Sequence, residues 1–197
     1  MAKKRPEFQP QNLPFSFSTA SLELFMQTHR SRESVALEML QKPELFPSLP
    51  KRSEYDRLIC LWRIPSFEPH SSWSLYRERK TNEHFVRRLE HDPRRGLPAN
   101  ISDPHVFGSE APIPAELATQ IVEQFEGLTV PMFRRPAWVG MDGVSFGAHI
   151  GNFWQSTTVN WWSSFSPEWK PLNELFHETV VQLDSLLPAS TLREIEL

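Results

Sequence analysis

The sequence predicts a single α+β domain: an antiparallel sheet of about five or six strands with helices packed on one side, preceded by a proline-rich arm. Three observations predict it. Hydrophobic spacing switches several times between the helical period and strict alternation. The alternating runs are joined by short polar connectors, as antiparallel hairpins are. A chain of 197 residues is also long enough to bury roughly two-thirds of its unfolded surface without a metal or disulfide staple.

Residues 1–16 read as the arm and 17–197 as the domain. Pro6, Pro10 and Pro14 deny the arm a helix, and Gln9, Gln11 and Asn12 deny it a core face. Phe15 and Phe17 pin its end. Two short helical patterns follow, "TASLELFMQTHR" with Leu22, Phe25 and Met26 on one face and "SRESVALEML" with Val35, Ala36, Met39 and Leu40, the second stopped by Pro43. "KPELFPSLPKRS" connects them to a change of period. "YDRLICLWRI", "SSWSLYRERK" and "EHFVRRLEHD" form a predicted three-stranded meander. The stretch from Asp92 to Pro114 carries five prolines and no periodicity, so it is expected to be a long loop.

"AELATQIVEQFEG" restores the helical period with Leu117, Ala118, Ile121, Val122 and Phe125, and Gly127 ends it. Asp142-Gly143 then stands between two alternating runs, which predicts a tight hairpin, with Val144, Phe146, Ala148 and Ile150 pointing one way. "QSTTVNWW" is a further strand. Ser166-Pro167-Glu168 opens the last helix, whose stripe comprises Leu172, Leu175, Phe176, Thr179, Val180, Leu183, Leu186 and Leu187.

Composition narrows the function classes. Hydrophobic residues at 39%, aromatics at 12% and a net charge of −3 describe an ordinary globular chain without the basic excess of nucleic-acid binders. The lone cysteine, Cys60, lies inside an apolar run, so an inert buried thiol in a reducing, cytoplasmic setting is the economical reading. The basic start lacks a following apolar segment, and no run approaches the ~20 apolar residues of a membrane span. A secreted or membrane-spanning protein is not expected.

Chemical motifs are sparse. There is no HExxH, no GxSxG and no phosphate-cradling glycine motif. His84, His91 and His105 lie near Glu90, Asp92 and Asp103, a set that suits a metal only if the chain brings it together. Solvated loop residues are the simpler account of it, and neither metal nor cofactor is expected. Arg77, Arg79, Lys80, Arg87, Arg88, Arg94 and Arg95, interleaved with Tyr76 and Phe85, form a basic stripe of the kind that binds single-stranded nucleic acid. Glu78, Glu83, Glu90 and Asp92 in the same stretch favour cross-strand charge ladders on a solvated face instead.

Four of the seven tryptophans fall within residues 141–172. On one strand Trp161 and Trp162 must face opposite ways. Either both rings lie inside a helix-covered sheet, or one exposed indole is a binding hot spot. The tail "DGVSFGAHIG", "VNWWSSFSPEWKPLNELFHETV", with its Asp-Gly turn, Trp-Trp strand end and Pro-Glu-Trp-Lys-Pro-Leu helix entry, resembles the C-terminal signature of small uncharacterised cytosolic bacterial proteins. Some of those are similar to immunity proteins encoded beside secreted toxins.

That resemblance covers the C-terminal third and implies a non-enzymatic protein-binding role, concretely occlusion of a cognate toxin, with a basic toxin domain as the partner. Asp103, Glu110 and Asp142 are the carboxylates expected to steer it, and Trp154 and Trp162 the aromatic anchors. Competing expectations are a hydrolase or transferase working from the 92–114 loop, with His91 and His105 as acid or base, and a single-stranded nucleic-acid-binding module.

Overall fold

The computed structural model describes residues 33–46, 49–50, 52, 54–93, 106–133, 142–152, 154–190 and 192. They form one α+β domain around a six-stranded, wholly antiparallel sheet. The first meander is β1 (Tyr55–Pro65), β2 (His70–Glu78) and β3 (His84–His91). Next comes β4 (Val106–Ile113), then, beyond a helix, β5 (Val144–Gly151) and β6 (Ser156–Trp162), in the spatial order β4-β3-β2-β1-β5-β6. Three helices accompany it: α1 over residues 33–41, α2 (Ala115–Glu126) and α3 (Lys170–Leu186). The proposed arm and the first helical pattern lie outside the described residues.

Alternation assigns the two sheet faces. Ile59, Leu61, Trp73, Leu75, Val86, Phe146, Ala148 and Trp161 meet Ala118, Ile121 and Phe125 of α2 and Leu172, Phe176 and Leu183 of α3 in the main core. The expected α3 stripe is thus the one that is buried, and Trp169 N–H donates to Ser166 O at 2.9 Å as the 3-10 turn Pro167–Trp169 leads into the helix. Pro171 is harmless there because a first-turn N–H has no helical acceptor. The opposite face is covered over part of its width by α1 and the segment after it, where Leu40 and Leu49 pack on Leu89 and the Tyr76 hydroxyl donates to Glu44 at 3.0 Å. Of the residues expected along α1, Ala36 and Leu40 are buried and Val35 is exposed.

Two sequence expectations need correction. The stretch from Asp92 to Pro114 is not one long loop: β4 pairs with β3 from His91↔Val106 to His84↔Ile113. Gly108 and Pro112 hide it in the sequence, yet both suit an edge strand, since proline needs no donor on the unpaired side and Gly108 leaves room for the Phe46 ring. Nor does Asp142-Gly143 turn a hairpin into β5. Both edges of β5 are already occupied, by β1 along 144–150 and by β6 along 145–151. The dipeptide instead forms a bend tied to the end of β1, with Ser66 N–H donating to Gly143 O at 2.9 Å.

One close approach gives a direct test. Gly147 lies under the buried Trp62 indole, and a Cβ there would overlap the ring. Gly147→Ala is expected to destabilise the fold by about 1–3 kcal/mol, the usual range for overpacking, read as a lower urea midpoint at unchanged slope. An unchanged midpoint would mean that Trp62 does not sit on that strand.

Candidate functional site

The basic stripe is the first candidate to dissolve. Arg87 and Arg88, adjacent on β3, point to opposite faces, and their side chains are only 4% and 3% exposed. Arg87 Nε donates to Glu110 at 2.8 Å and an Nη to Pro50 O at 2.7 Å, while Arg52 reaches the same Glu110 at 2.8 Å and stacks on Phe85 at 4.2 Å. Arg88 donates to Asp184 at 2.9 Å and to Pro188 O at 2.7 Å, with Nε 3.2 Å from Glu90. Arg77 and Arg79 share Asp56, whose carboxyl is held below its usual range by those hydrogen bonds, and Lys80 pairs with Glu54. The ladder reading holds with a correction: the central arginines are inside, not on a solvated face. Arg94 and Arg95 lie outside the described residues.

The histidines do not converge. His84 and His91 occupy the two ends of β3, roughly 23 Å apart at the rise of a strand, so they cannot share an ion. His91 neighbours His70 instead, with ring centroids 5.7 Å apart, and burial lowers the basicity of His70. His91 closes β3, within the strand the alternation predicts, and His105 and Asp103 lie outside the described residues. No group of three or more metal-ligating side chains occurs among the described residues. Burial pushes the Cys60 thiol up to about 11, which leaves it protonated and unreactive at neutral pH.

The expected partner-binding residues are not brought together. Glu110 sits on β4 at one edge, its side chain 10% exposed and committed to Arg52 and Arg87, so it is no free steering charge. Asp142 is exposed beside the start of β5, near Trp162, which is half-buried against Gly143. Trp154 stands beyond the opposite end of β5. Trp161 is buried, stacks on Phe146 at 5.6 Å and donates its indole N–H to Asn173 at 3.1 Å. The strand therefore divides its two indoles between faces, and the most exposed indole among the described residues is Trp154, at 89%.

Around Trp154 a surface is built with some precision. Gly151 takes φ +155°, and a Cβ there would strike Gln155 and Ser156, so glycine is required for the β5–β6 turn to close. Asn152 completes it: its side-chain oxygen accepts the N–H groups of Trp154 at 2.9 Å and Gln155 at 3.0 Å, and its own N–H donates to Gln155 O at 2.8 Å. The turn borders a groove of about 430 Å³ whose walls include Phe125, Leu128, Val130, Ile150, Val159 and Leu172. Met132 and Phe133, following Val130, are 97% and 71% exposed. Sequence reasoning missed these two. Their signal was a pair of large apolar residues in "LTVPMF", past the end of a helix and outside any period.

No protein-family model matches the chain, and no curated protein and no solved structure is significantly similar to it. No helix of the described residues is long and apolar enough to cross a membrane.

Proposed function

We propose that the chain is a non-enzymatic protein-binding protein, in its most concrete form a cytosolic immunity protein that occludes a cognate bacterial toxin. The observation that carries the binding role is Trp154: a large indole, 89% exposed, presented by a turn that Gly151 and Asn152 hold in one shape beside an apolar groove. Rigid aromatic anchors lose little entropy on docking, and tryptophan is enriched where binding energy concentrates. The residues of the turn, Gly151, Asn152 and Gln155, themselves line that groove, and an apolar concavity at the surface is where partners commonly dock. The resemblance of the C-terminal third to small cytosolic bacterial proteins, some of them similar to immunity proteins, is what suggests a toxin as the partner.

The test places a photo-crosslinking phenylalanine analogue at Trp154 in the native host, with Glu178 on the outer side of α3 as the control position. A discrete protein adduct at 154 and none at 178 is expected. Trp154→Ala should lower affinity for that protein by roughly 30-fold, about 2 kcal/mol, the lower bound for a hot spot. Its denaturation midpoint should stay within about 0.5 kcal/mol of the parent. If the product of a neighbouring reading frame arrests growth and this chain relieves the arrest, with Trp154→Ala failing to do so, the immunity role stands. No adduct at 154, or one equal to the control, removes the binding role.

A further inference from the structure

We infer that the partner enters as an extended, lysine- or arginine-bearing segment that adds a seventh strand to the sheet along β6, a reading that rests on the binding role proposed above. The two sheet edges differ. β4 carries Pro112, which has no N–H to offer, and Gly108, which lies against Phe46. β6 reads Ser-Thr-Thr-Val-Asn-Trp-Trp. It has no proline and no charge, and its pairing with β5 runs from Gly151↔Ser156 to Ser145↔Trp162 without a bulge. Proline, lysine and bulges are what proteins use to close an edge against further strands. Here none is present, and among the described residues no strand lies beyond β6.

The groove gives such a segment somewhere to put its side chains. Thr157 and Val159 of β6 line it together with Phe125, Leu128 and Val130. Because side chains alternate along a strand, every second residue of a segment paired to β6 falls on the groove side. Main-chain hydrogen bonds then supply affinity and the groove supplies selection, the division of labour seen in strand addition generally.

Charge selects the occupant. α2 carries Glu116, Glu123 and Glu126 and no lysine or arginine, and none of the three carboxylates has an ion-pair partner among the described residues. Glu126 lines the groove, and Glu123 lies one turn before it. The C-terminal end of α2, where the backbone carbonyls concentrate negative potential, has no cation in its last turn. Lys170, the cation that opens α3, is paired with Glu174 at 3.3 Å. A second copy of the chain would bring an uncharged β6 to this acidic wall. A basic segment would neutralise it.

The experiment uses the full chain and three synthetic peptides of about eight residues, each alternating valine with threonine: one ending in a pair of lysines, one ending in a pair of glutamates, and the lysine peptide with alternate amides N-methylated. Saturable binding of the lysine peptide is expected, with the glutamate peptide weaker by about ten-fold or more and the N-methylated one inactive. Glu123→Lys combined with Glu126→Lys should reverse the charge preference. Amide hydrogen exchange along β6 should slow on saturation while exchange along β4 does not change. The inference is overturned if the lysine peptide fails to bind, if N-methylation has no effect, or if β6 amides become protected with rising protein concentration alone, which would put a second copy on the edge. An adduct at Trp154 together with failed peptides would leave the binding role intact and remove strand addition. Failure of both would remove both.

Discussion

Arg88→Met is expected to destabilise the domain by about 3–5 kcal/mol, the cost of breaking a buried charge cluster by removing one member. The side chain is 3% exposed, and its guanidinium lies 3.2 Å from Glu90 on its own strand and donates to Asp184 on α3 and to Pro188 O just beyond that helix. Asp184 also accepts the Trp73 indole N–H at 2.8 Å, and Glu90 accepts the Ser190 hydroxyl at 2.6 Å. Methionine fills much of the volume but takes from Glu90 and Asp184 the guanidinium that lies against both. Chemical denaturation at neutral pH measures the loss. Neutralising both acids in the same background, with Glu90→Gln and Asp184→Asn, should recover a substantial part of it, because isosteric neutral groups are cheaper to bury than unpaired charges. A loss below about 1 kcal/mol for Arg88→Met would show that water reaches the cluster.

Phe176→Ala carries the second large effect, about 3–5 kcal/mol, as for other buried rings truncated to a methyl group. Its ring is fully buried and meets Phe146 at 5.2 Å and Trp161 at 5.4 Å, both edge to face. These three rings join α3 to β5 and β6, so the cavity would open at the seam between helix and sheet. A lower denaturation midpoint and a shift of tryptophan emission to longer wavelength, from Trp161, are the expected readings. Val181→Ala on the same helix, at a residue 69% exposed, should change stability by no more than about 0.5 kcal/mol. Equal losses for the two variants would contradict the placement of α3.

These two residues mark the limit of what spacing reveals. Phe176 was legible because its neighbours at helical intervals, Leu172, Thr179 and Leu183, share its face, and a face rich in apolar groups has to be covered. Arg88 was not. In "HFVRRLEH" two adjacent arginines suggest a solvated strand, yet β3 is covered on both faces where they stand. The carboxylates that make this tolerable come from far away in the chain, Glu110 at 23 positions from Arg87 and Asp184 at 96 from Arg88. The same distance effect hid β4, whose glycine and proline deny it a strand's local pattern until β3 supplies the ladder.

For the candidate site the division falls elsewhere. An excess of tryptophan near the C-terminus pointed to this region, but not to which indole faces water, since alternation separates Trp161 from Trp162 without saying what covers either face. The sequence alone determined the element types of β1, β2, β3, β5, β6, α2 and α3, because the period of apolar residues must match the period of the backbone that buries them. Only the tertiary structure decided that Glu110 is spent on arginines, that Asp142 and Trp154 stand at opposite ends of β5, and that Glu126 lines the same groove as Thr157 and Val159 of β6. Those are relations between segments distant in sequence, and they exist only once the sheet order β4-β3-β2-β1-β5-β6 has brought the segments together.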